Sequence, residues 1–581
     1  ARGTGRRGVP PGTARMSLWK KMRLALGRTA NPAWRGLRRL RAEKRENSLP
    51  DGAAKPRPAL DFRVCRTERR AEGGLSGPGD GKAPTEEQGL LVFHNTAEVI
   101  RAERILTRAG FAVRVMGPPP DLQSGCDMVL EFPLLFALPV RAALEADGLE
   151  PLQIVPLRDL LLEPVSLFQA VRYGDYLMVR AANVKMTVDA ASPERRIVNV
   201  SGGGCPDVPY LASLLVGRGL DEADEPRVHG RTLCSYALQK AFEETRRLLA
   251  EPDMGGAPAA SVGRAAPPFS PVTPILGERP GPGRSWLICG TVPDGEFPLL
   301  LDTWHLEGET LVNAGGRRLP VRRGTPALLA SALAACAAVG APAPEALLVG
   351  DEGDGKGSSL LYRRLADELL PSRHWDGLTF HYLFPDLDGH NRVLMALDSL
   401  PEERRPLLAA DAGYMYVAKM SGYASSYDLF TPDAGELAFL ADEKAPHPFY
   451  TRGFLLGGNN DVADLAARAA AAGNSARHLL IKGATDYVIR DGVVLATVDS
   501  PCVPALEPIG GTGDVVTGLV TALLAAGFDM GAACRAAARG ARLVGAAARP
   551  GPASGVAELA PFIPDVVRSM LPSAEKAHPK G

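Results

Sequence analysis

The chain is poor in aromatic residues, at 6%, and has no excess of either charge: 66 Lys and Arg face 66 Asp and Glu. That balance argues against nucleic acid as the main partner. Its eight Cys include no CxxC pair, so neither a zinc ribbon nor a disulfide framework is indicated, and a reducing cytoplasm fits this usage. No apolar run reaches the length of a membrane span, because Arg, Gly and Pro cut the Ala- and Leu-rich stretches. No membrane partner is therefore expected. What is present, 45% hydrophobic and 23% charged residues over 581 positions, is enough for two to four globular domains.

The most informative segment is Gly510-Gly511-Thr512-Gly513-Asp514-Val515-Val516-Thr517-Gly518. Val516, Leu519, Val520, Leu523 and Leu524 follow at helical spacing, and Gly527 ends the helix. Gly511, Thr512 and Gly513 then present backbone N–H groups at the positive end of a helix dipole, a geometry suited to phosphate or another oxyanion. Asp514 beside such a pocket suits proton transfer from a hydroxyl or from water. The same run also reads as an ordinary loop ending in an acidic first-turn residue.

Residues 1–88 read as a basic and polar tail and linker. Residues 1–50 are Arg-rich and begin before the first Met, Met16. Lys20–Arg23 and Arg38–Arg41 allow a basic amphipathic helix, and a transit peptide is another reading. The favoured one is a tail without structure, or translated sequence upstream of the true start. Over 89–160 the order is strand from Leu90, helix Thr96–Ala109, strand Phe111–Met116, strand Met128–Phe132, helix Leu138–Ala146 and strand Leu152–Leu157. This βαββαβ order implies a small α+β, ferredoxin-like domain. Residues 165–250 form a cysteine-containing segment with helices around Val208–Val216 and Leu233–Leu249, and 251–285 form a Pro/Gly/Ala linker.

From 286 to 571, short apolar strands alternate with Ala-rich helices, which indicates an α/β doubly wound, mainly parallel sheet. Asp491-Gly492 signals one hairpin. Ligands of such sheets sit at the carboxyl ends of the strands, where Asp411, Thr431-Pro432 and Lys482-Gly483 fall. This unit resembles the ribokinase-like superfamily, in its NAD(P)H-hydrate dehydratase (carbohydrate-kinase-related) branch. The likeness rests on Phe430-Thr431-Pro432-Asp433-Ala434-Gly435-Glu436, on Ile481-Lys482-Gly483-Ala484, and on the glycine run ending at Gly518. Ala410-Asp411-Ala412-Gly413 is a looser match.

The resemblance implies ATP or ADP with Mg2+, and NAD(P)H-hydrate as substrate. It assigns phosphate binding to Gly511, Thr512 and Gly513, with Lys482 and Gly483 nearby, and makes Asp514 the catalytic carboxylate. Asp411, Asp433, Glu436 and Asp354 are substrate-side candidates, and a homo-oligomer is plausible. A snorkelling surface lysine is the other reading of Lys482. One departure is Pro504–Ile509, where the family carries an Asn-Pro segment. A kinase for a sugar or vitamin precursor is the alternative activity.

The loop Gly350–Ser359 reads as a substrate-side loop or lid, or as a plain acidic turn. His381 and His390, with Asp386 and Asp388, allow metal ligation, but a structural role is the commoner fate of such residues and no metal ligand is assigned. Residues 88–160 resemble a small selenium or sulfur carrier domain through Phe93-His94-Asn95-Thr96 and Ser124-Gly125-Cys126, which implies a persulfide or selenide on Cys126. Cys205, in Gly202–Asp207, and Cys234, at a helix start, read either as a redox or thiophilic pair with dipole-stabilised thiolate or as buried small residues. From these thiols comes a further alternative, a sulfur or selenium carrier with a nucleotide-sensing kinase-like module.

Overall fold

The computed structural model describes residues 87–119, 122, 128–157, 168–250, 275–277, 281–448 and 461–572, all within one compact unit. The basic segments of 1–50, most of both linkers and Cys126 lie outside the described residues. No helix among the described residues is long and apolar enough to cross a membrane.

The first domain contains β1 (Gln88–Val92), α1 (Thr96–Arg108), β2 (Arg114–Met116), β3 (Val129–Pro133), α2 (Ala137–Ala146) and β4 (Gln153–Pro156). The sheet is antiparallel in the order β2-β3-β1-β4, the ferredoxin-like arrangement expected from the element order. Asn95 caps α1 by accepting from the Glu98 N–H. β2 starts three residues later than Phe111, because the chain leaves α1 through Gly110 and the Phe111 N–H still bonds the Leu106 carbonyl.

The second domain holds more than the two expected helices, α3 (Val208–Leu215) and α4 (Leu233–Ala250). A four-stranded antiparallel meander precedes them: β5 (Phe168–Tyr173), β6 (Tyr176–Ala181), β7 (Val184–Asp189) and β8 (Ile197–Gly202). Its first turn, Gly174-Asp175, is a two-residue hairpin signal that was legible in the sequence. Leu91, Phe93 and Leu130 of the first domain share one core with Leu177, Val179 and Phe242 of the second. The two small units therefore bury their apolar faces together.

The third domain is built on an eleven-stranded sheet. Its strands are β9 (Trp286–Val292), β10 (Leu300–Glu307), β11 (Thr310–Asn313), β12 (Arg318–Pro320), β13 (Glu345–Gly350), β14 (Gly377–His381), β15 (Leu407–Ala410), β16 (Leu429–Phe430), β17 (His478–Ile481), β18 (Asp486–Arg490) and β19 (Val493–Val498). The centre, β13-β9-β14-β15-β16-β17, is parallel throughout, and antiparallel strands extend both edges. The expected Asp491-Gly492 hairpin joins β18 to β19. Trp286 and Ile288 point into one core and Leu287 and Cys289 into another, as the two-residue strand period requires when helices cover both faces.

The first of these cores contains α5 (Thr325–Val339), α11 (Thr512–Ala525) and α12 (Met530–Ala548). On the other face lie α6 (Lys356–Arg364), α7 (Leu387–Asp398), α8 (Gly413–Met420), α9 (Ala434–Ala441) and α10 (Val462–Ala471).

His390, on α7, is fully buried, with its ring nitrogens 2.9 Å from the Tyr427 hydroxyl and 3.1 Å from Ser421 Oγ. Burial lowers its pKa to about 4. Because the folded pKa lies below the unfolded one, the unfolded chain gains the proton first as pH falls. The stability tied to the neutral ring is complete above about pH 6.5 and is lost towards pH 4. Urea titrations at pH 7 and 5 should show a loss of about 2 kcal/mol that His390→Phe reduces.

Candidate functional site

Two helices start at the same point. α11 and α5 run side by side, and Gly518 permits the contact, since a Cβ there would overlap the Leu328 carbonyl oxygen. Every residue of α11 from Asp514 to Ala525 is buried, as befits a helix that is apolar all round. The helix begins at Gly511, whose φ of 98° is readily available only to glycine. The first-turn N–H groups of Thr512, Gly513 and Asp514 have no acceptor within the helix. The Gly324 N–H, at the head of α5, donates to Asp514 Oδ2 at 2.5 Å. Asp514 thus lies where two helix dipoles are both positive.

The ends of the parallel strands complete the site. His381 ends β14, Asp411 follows β15, Thr431 follows β16 and Lys482 follows β17. Lys482 Nζ donates to both oxygens of Asp411, at 2.8 and 2.9 Å. Thr517 Oγ1 donates to Asp411 Oδ2 at 2.5 Å, and Thr431 Oγ1 lies 3.1 Å from Thr517 Oγ1. His381 Nε2 is 3.2 Å from Asp514 Oδ1 and 3.7 Å from Asp411 Oδ2.

Burial works against the Asp514 charge, but His381, Arg323 and Lys482 outweigh it and hold the carboxyl below its ordinary value. Burial also works against the Lys482 charge, and Asp411, Glu436 and Asp514 outweigh that, holding its pKa above the ordinary lysine value. Both groups are therefore ionised at neutral pH. This is a buried, charged cluster rather than the snorkelling lysine that was one reading of the sequence.

The second domain covers this cluster. Arg323 donates to the carbonyls of Val200 and Gly202 at 2.9 Å each, and the Tyr382 hydroxyl donates to the Gly203 carbonyl at 3.0 Å. A Cβ on Gly204 would overlap Glu436 Oε1. The Gly202–Gly204 run therefore lies flat over the strand ends. Asn199 extends the roof to the glycine turn by accepting from the Gly510 N–H at 3.3 Å.

The structure brings Gly511, Thr512, Gly513, Asp514, Lys482 and Asp411 together, places Glu436 near enough to act on the Lys482 charge, and gives the other candidates different partners. The Gly483 N–H is occupied by Asp486, which is itself paired to Arg542 at 2.8 Å, so this amide is not open to phosphate. Asp433 and Glu436 form the capping box of α9, each accepting the other's backbone N–H at 2.8 Å. Asp354 pairs with the exposed Lys356. The loop around it is folded on the buried Asp351, which accepts from Gly353, Gly355 and Ser358.

Cys205 and Cys234 do meet, but a thiolate is not favoured. Hydrogen bonding with Cys205, and then burial, raise the Cys234 thiol well above its ordinary pKa, so the helix dipole does not prevail. Arg323, Gly324 and Thr325 went unnoticed in the sequence. Their role arises from β8 and α11 folding onto them, and only Gly324-Thr325-Pro326, a helix start, left a trace.

A Cβ on Gly513 would lie 3.6 Å from Lys482 Nζ, an ordinary contact. Gly513→Ala should therefore fold with an unchanged or raised melting temperature, while its methyl sits in the anion pocket. Calorimetry is expected to show about a tenfold weaker nucleotide affinity.

Comparison with known proteins divides the chain as its sheets do. Residues 88–156 match the Se/S carrier protein-like family, 167–253 a domain of unknown function (DUF8182), and 383–560 the NAD(P)H-hydrate dehydratase family. The middle match gives a family to a segment for which the sequence offered none. An uncharacterised protein of Methanocaldococcus jannaschii is 40% identical over 166 residues, 28% of this chain and 82% of that protein. A second from the same organism is 33% identical over 226 residues, 39% of this chain and 91% of the relative. Among solved structures, a mutant phosphofructokinase-2 of Escherichia coli aligns at 16% identity and a TM-score of 0.30, covering 49% of this chain and 99% of that one. The chain belongs with each of these two archaeal proteins over the part it shares with it, and residues 383–560 of its C-terminal domain match the NAD(P)H-hydrate dehydratase (carbohydrate-kinase) family.

Proposed function

We propose that the C-terminal domain transfers a phosphoryl group from ATP or ADP to a hydroxyl of a small metabolite, NAD(P)H-hydrate being the first candidate. The observation that carries this reading is the ionised Asp514 at the joint N-termini of α5 and α11, beside Lys482 and the unshared N–H groups of the glycine turn. The turn and Lys482 would hold the phosphates in line. The hydroxyl oxygen attacks the terminal phosphorus, the bridging P–O bond breaks towards the departing nucleotide, and the hydroxyl proton passes to Asp514. On a hydrate, the C–O bond then breaks with its electrons leaving on phosphate. Loss of the neighbouring C–H proton completes a dehydration.

The Mg2+ implied by the resemblance favours oxygen ligands and retains water. The one described cluster able to hold a metal is His381, Asp411 and Asp514, with an imidazole nitrogen in a buried setting, and it does not fit Mg2+. No step is assigned to that ion.

One observation favours the kinase alternative. Asp514 is only 6% exposed beneath the Gly202–Gly204 roof, which suits a substrate smaller than a dinucleotide. The deciding assay offers NADH-hydrate with ATP and, separately, with ADP. Recovery of near-ultraviolet absorbance supports the dehydratase. A stable phosphoester from a small alcohol, without that recovery, supports the kinase, and neither product would sink both. The carrier alternative predicts a persulfide on Cys126, Cys205 or Cys234 after exposure to a polysulfide, whose sulfane sulfur passes to the thiolate while the shortened polysulfide leaves.

A further inference from the structure

We infer that His381, Asp411 and Asp514 form a binding site for one divalent first-row transition metal of the Mn2+, Co2+ or Zn2+ class. Each side chain comes from a different element, β14, the end of β15 and the start of α11, and each is buried. One donor atom from each lies within 4.8 Å of the others. His381 Nε2 is fully buried and faces the two carboxylates, 3.2 Å from Asp514 Oδ1, without the alignment of a hydrogen bond. A buried nitrogen in that state calls for an explanation, because buried polar atoms are almost always satisfied.

The Lys482 ammonium already answers Asp411, which leaves His381 Nε2 facing the two carboxylates with no aligned partner of its own. A charged N–H···O bond would be short, about 2.7–2.9 Å, and aligned. The observed separations are 3.2 and 3.7 Å, without alignment. Metal bonds of about 2.0–2.2 Å place neighbouring ligand atoms about 3.0–3.5 Å apart, close to what is seen.

The surroundings act as a supporting shell. Thr325 Oγ1 lies 3.1 Å from His381 Nδ1, so a ring protonated at Nδ1 presents the Nε2 lone pair to the two carboxylates. Gly324 fixes the outer oxygen of Asp514, and Thr517 with Lys482 fixes Asp411. One nitrogen and two carboxylate oxygens suit a borderline metal better than Mg2+ or Ca2+. A metal there would lower the pKa of a hydroxyl or water bound to it, beside the carboxylate of the proposed site. The inference uses Asp514 but does not rest on the phosphoryl-transfer reading.

The test is titration of the chelator-stripped full chain with Co2+ in the absence of nucleotide, followed by calorimetry, visible absorption and X-ray absorption. One Co2+ per chain is expected, with one imidazole and oxygen donors and no sulfur. His381→Gln, folded by circular dichroism, should bind at least tenfold more weakly. X-ray absorption of the wild type decides the matter if that variant fails to fold. No Co2+ bound, sulfur ligation, or unchanged affinity in folded His381→Gln would overturn the site. Co2+ binding without turnover of any hydroxyl substrate would sink the proposed reaction alone. Turnover after stripping, with no Co2+ bound, would sink the metal site alone.

Discussion

Asp514→Asn is expected to lower turnover by about a hundredfold or more while nucleotide affinity changes little. The substitution is nearly isosteric. Its amide oxygen can still accept the Gly324 N–H that now reaches Oδ2, so α5 and α11 keep their shared start. The phosphate-binding N–H groups and Lys482 are also left in place. What is lost is a carboxylate that is ionised at neutral pH and makes no direct contact with lysine or arginine. Steady-state assay and calorimetry on the same sample separate the two effects. Retained turnover would remove Asp514 from the reaction, and lost nucleotide binding with a preserved fold would recast it as a binding residue.

Lys482→Met should be the most damaging single change to stability, about 3–5 kcal/mol. Lys482 and Asp411 form a pair whose side chains are 16% and 2% exposed, so neither charge has water to fall back on. Without the ammonium, Asp411 keeps only Thr517 and its own Ala412 N–H as donors. Denaturant titration should show the loss. Adding Asp411→Asn to Lys482→Met should recover most of it, because the stranded charge is removed. Activity should not return, since the cation beside the glycine turn is still missing. A double variant no more stable than Lys482→Met would mean that the pair is not what anchors this corner of the fold.

These two residues also show how far the sequence could be read. Asp514 was legible because its neighbours are local: a glycine turn, an acidic first-turn residue and a helical apolar pattern are contiguous. Lys482 was visible only as a strand-end lysine, equally compatible with the surface. Its burial depends on Asp411, 71 positions away in the chain. Asp433 and Glu436 sit in a motif-like run, yet each gives one carboxylate oxygen to capping α9. His381 had the right residue type at a strand end. Nothing local said that its free nitrogen would face Asp514 rather than a hydroxyl, as His390 faces Tyr427.

By itself the sequence determined the strand–helix alternation of the third domain, the ferredoxin-like order of the first, the helix start at Gly511 and the carboxylate placed there. Period and turn chemistry act over a few residues, so they are written in the chain directly. Only the tertiary structure decided that α5 begins at the same point, that Arg323 and the Gly202–Gly204 run roof the strand ends, and that His381, Asp411 and Asp514 converge. Those facts arise from parallel strands whose ends lie side by side in space after long crossovers. Register and helix packing, not adjacency, choose which side chains meet.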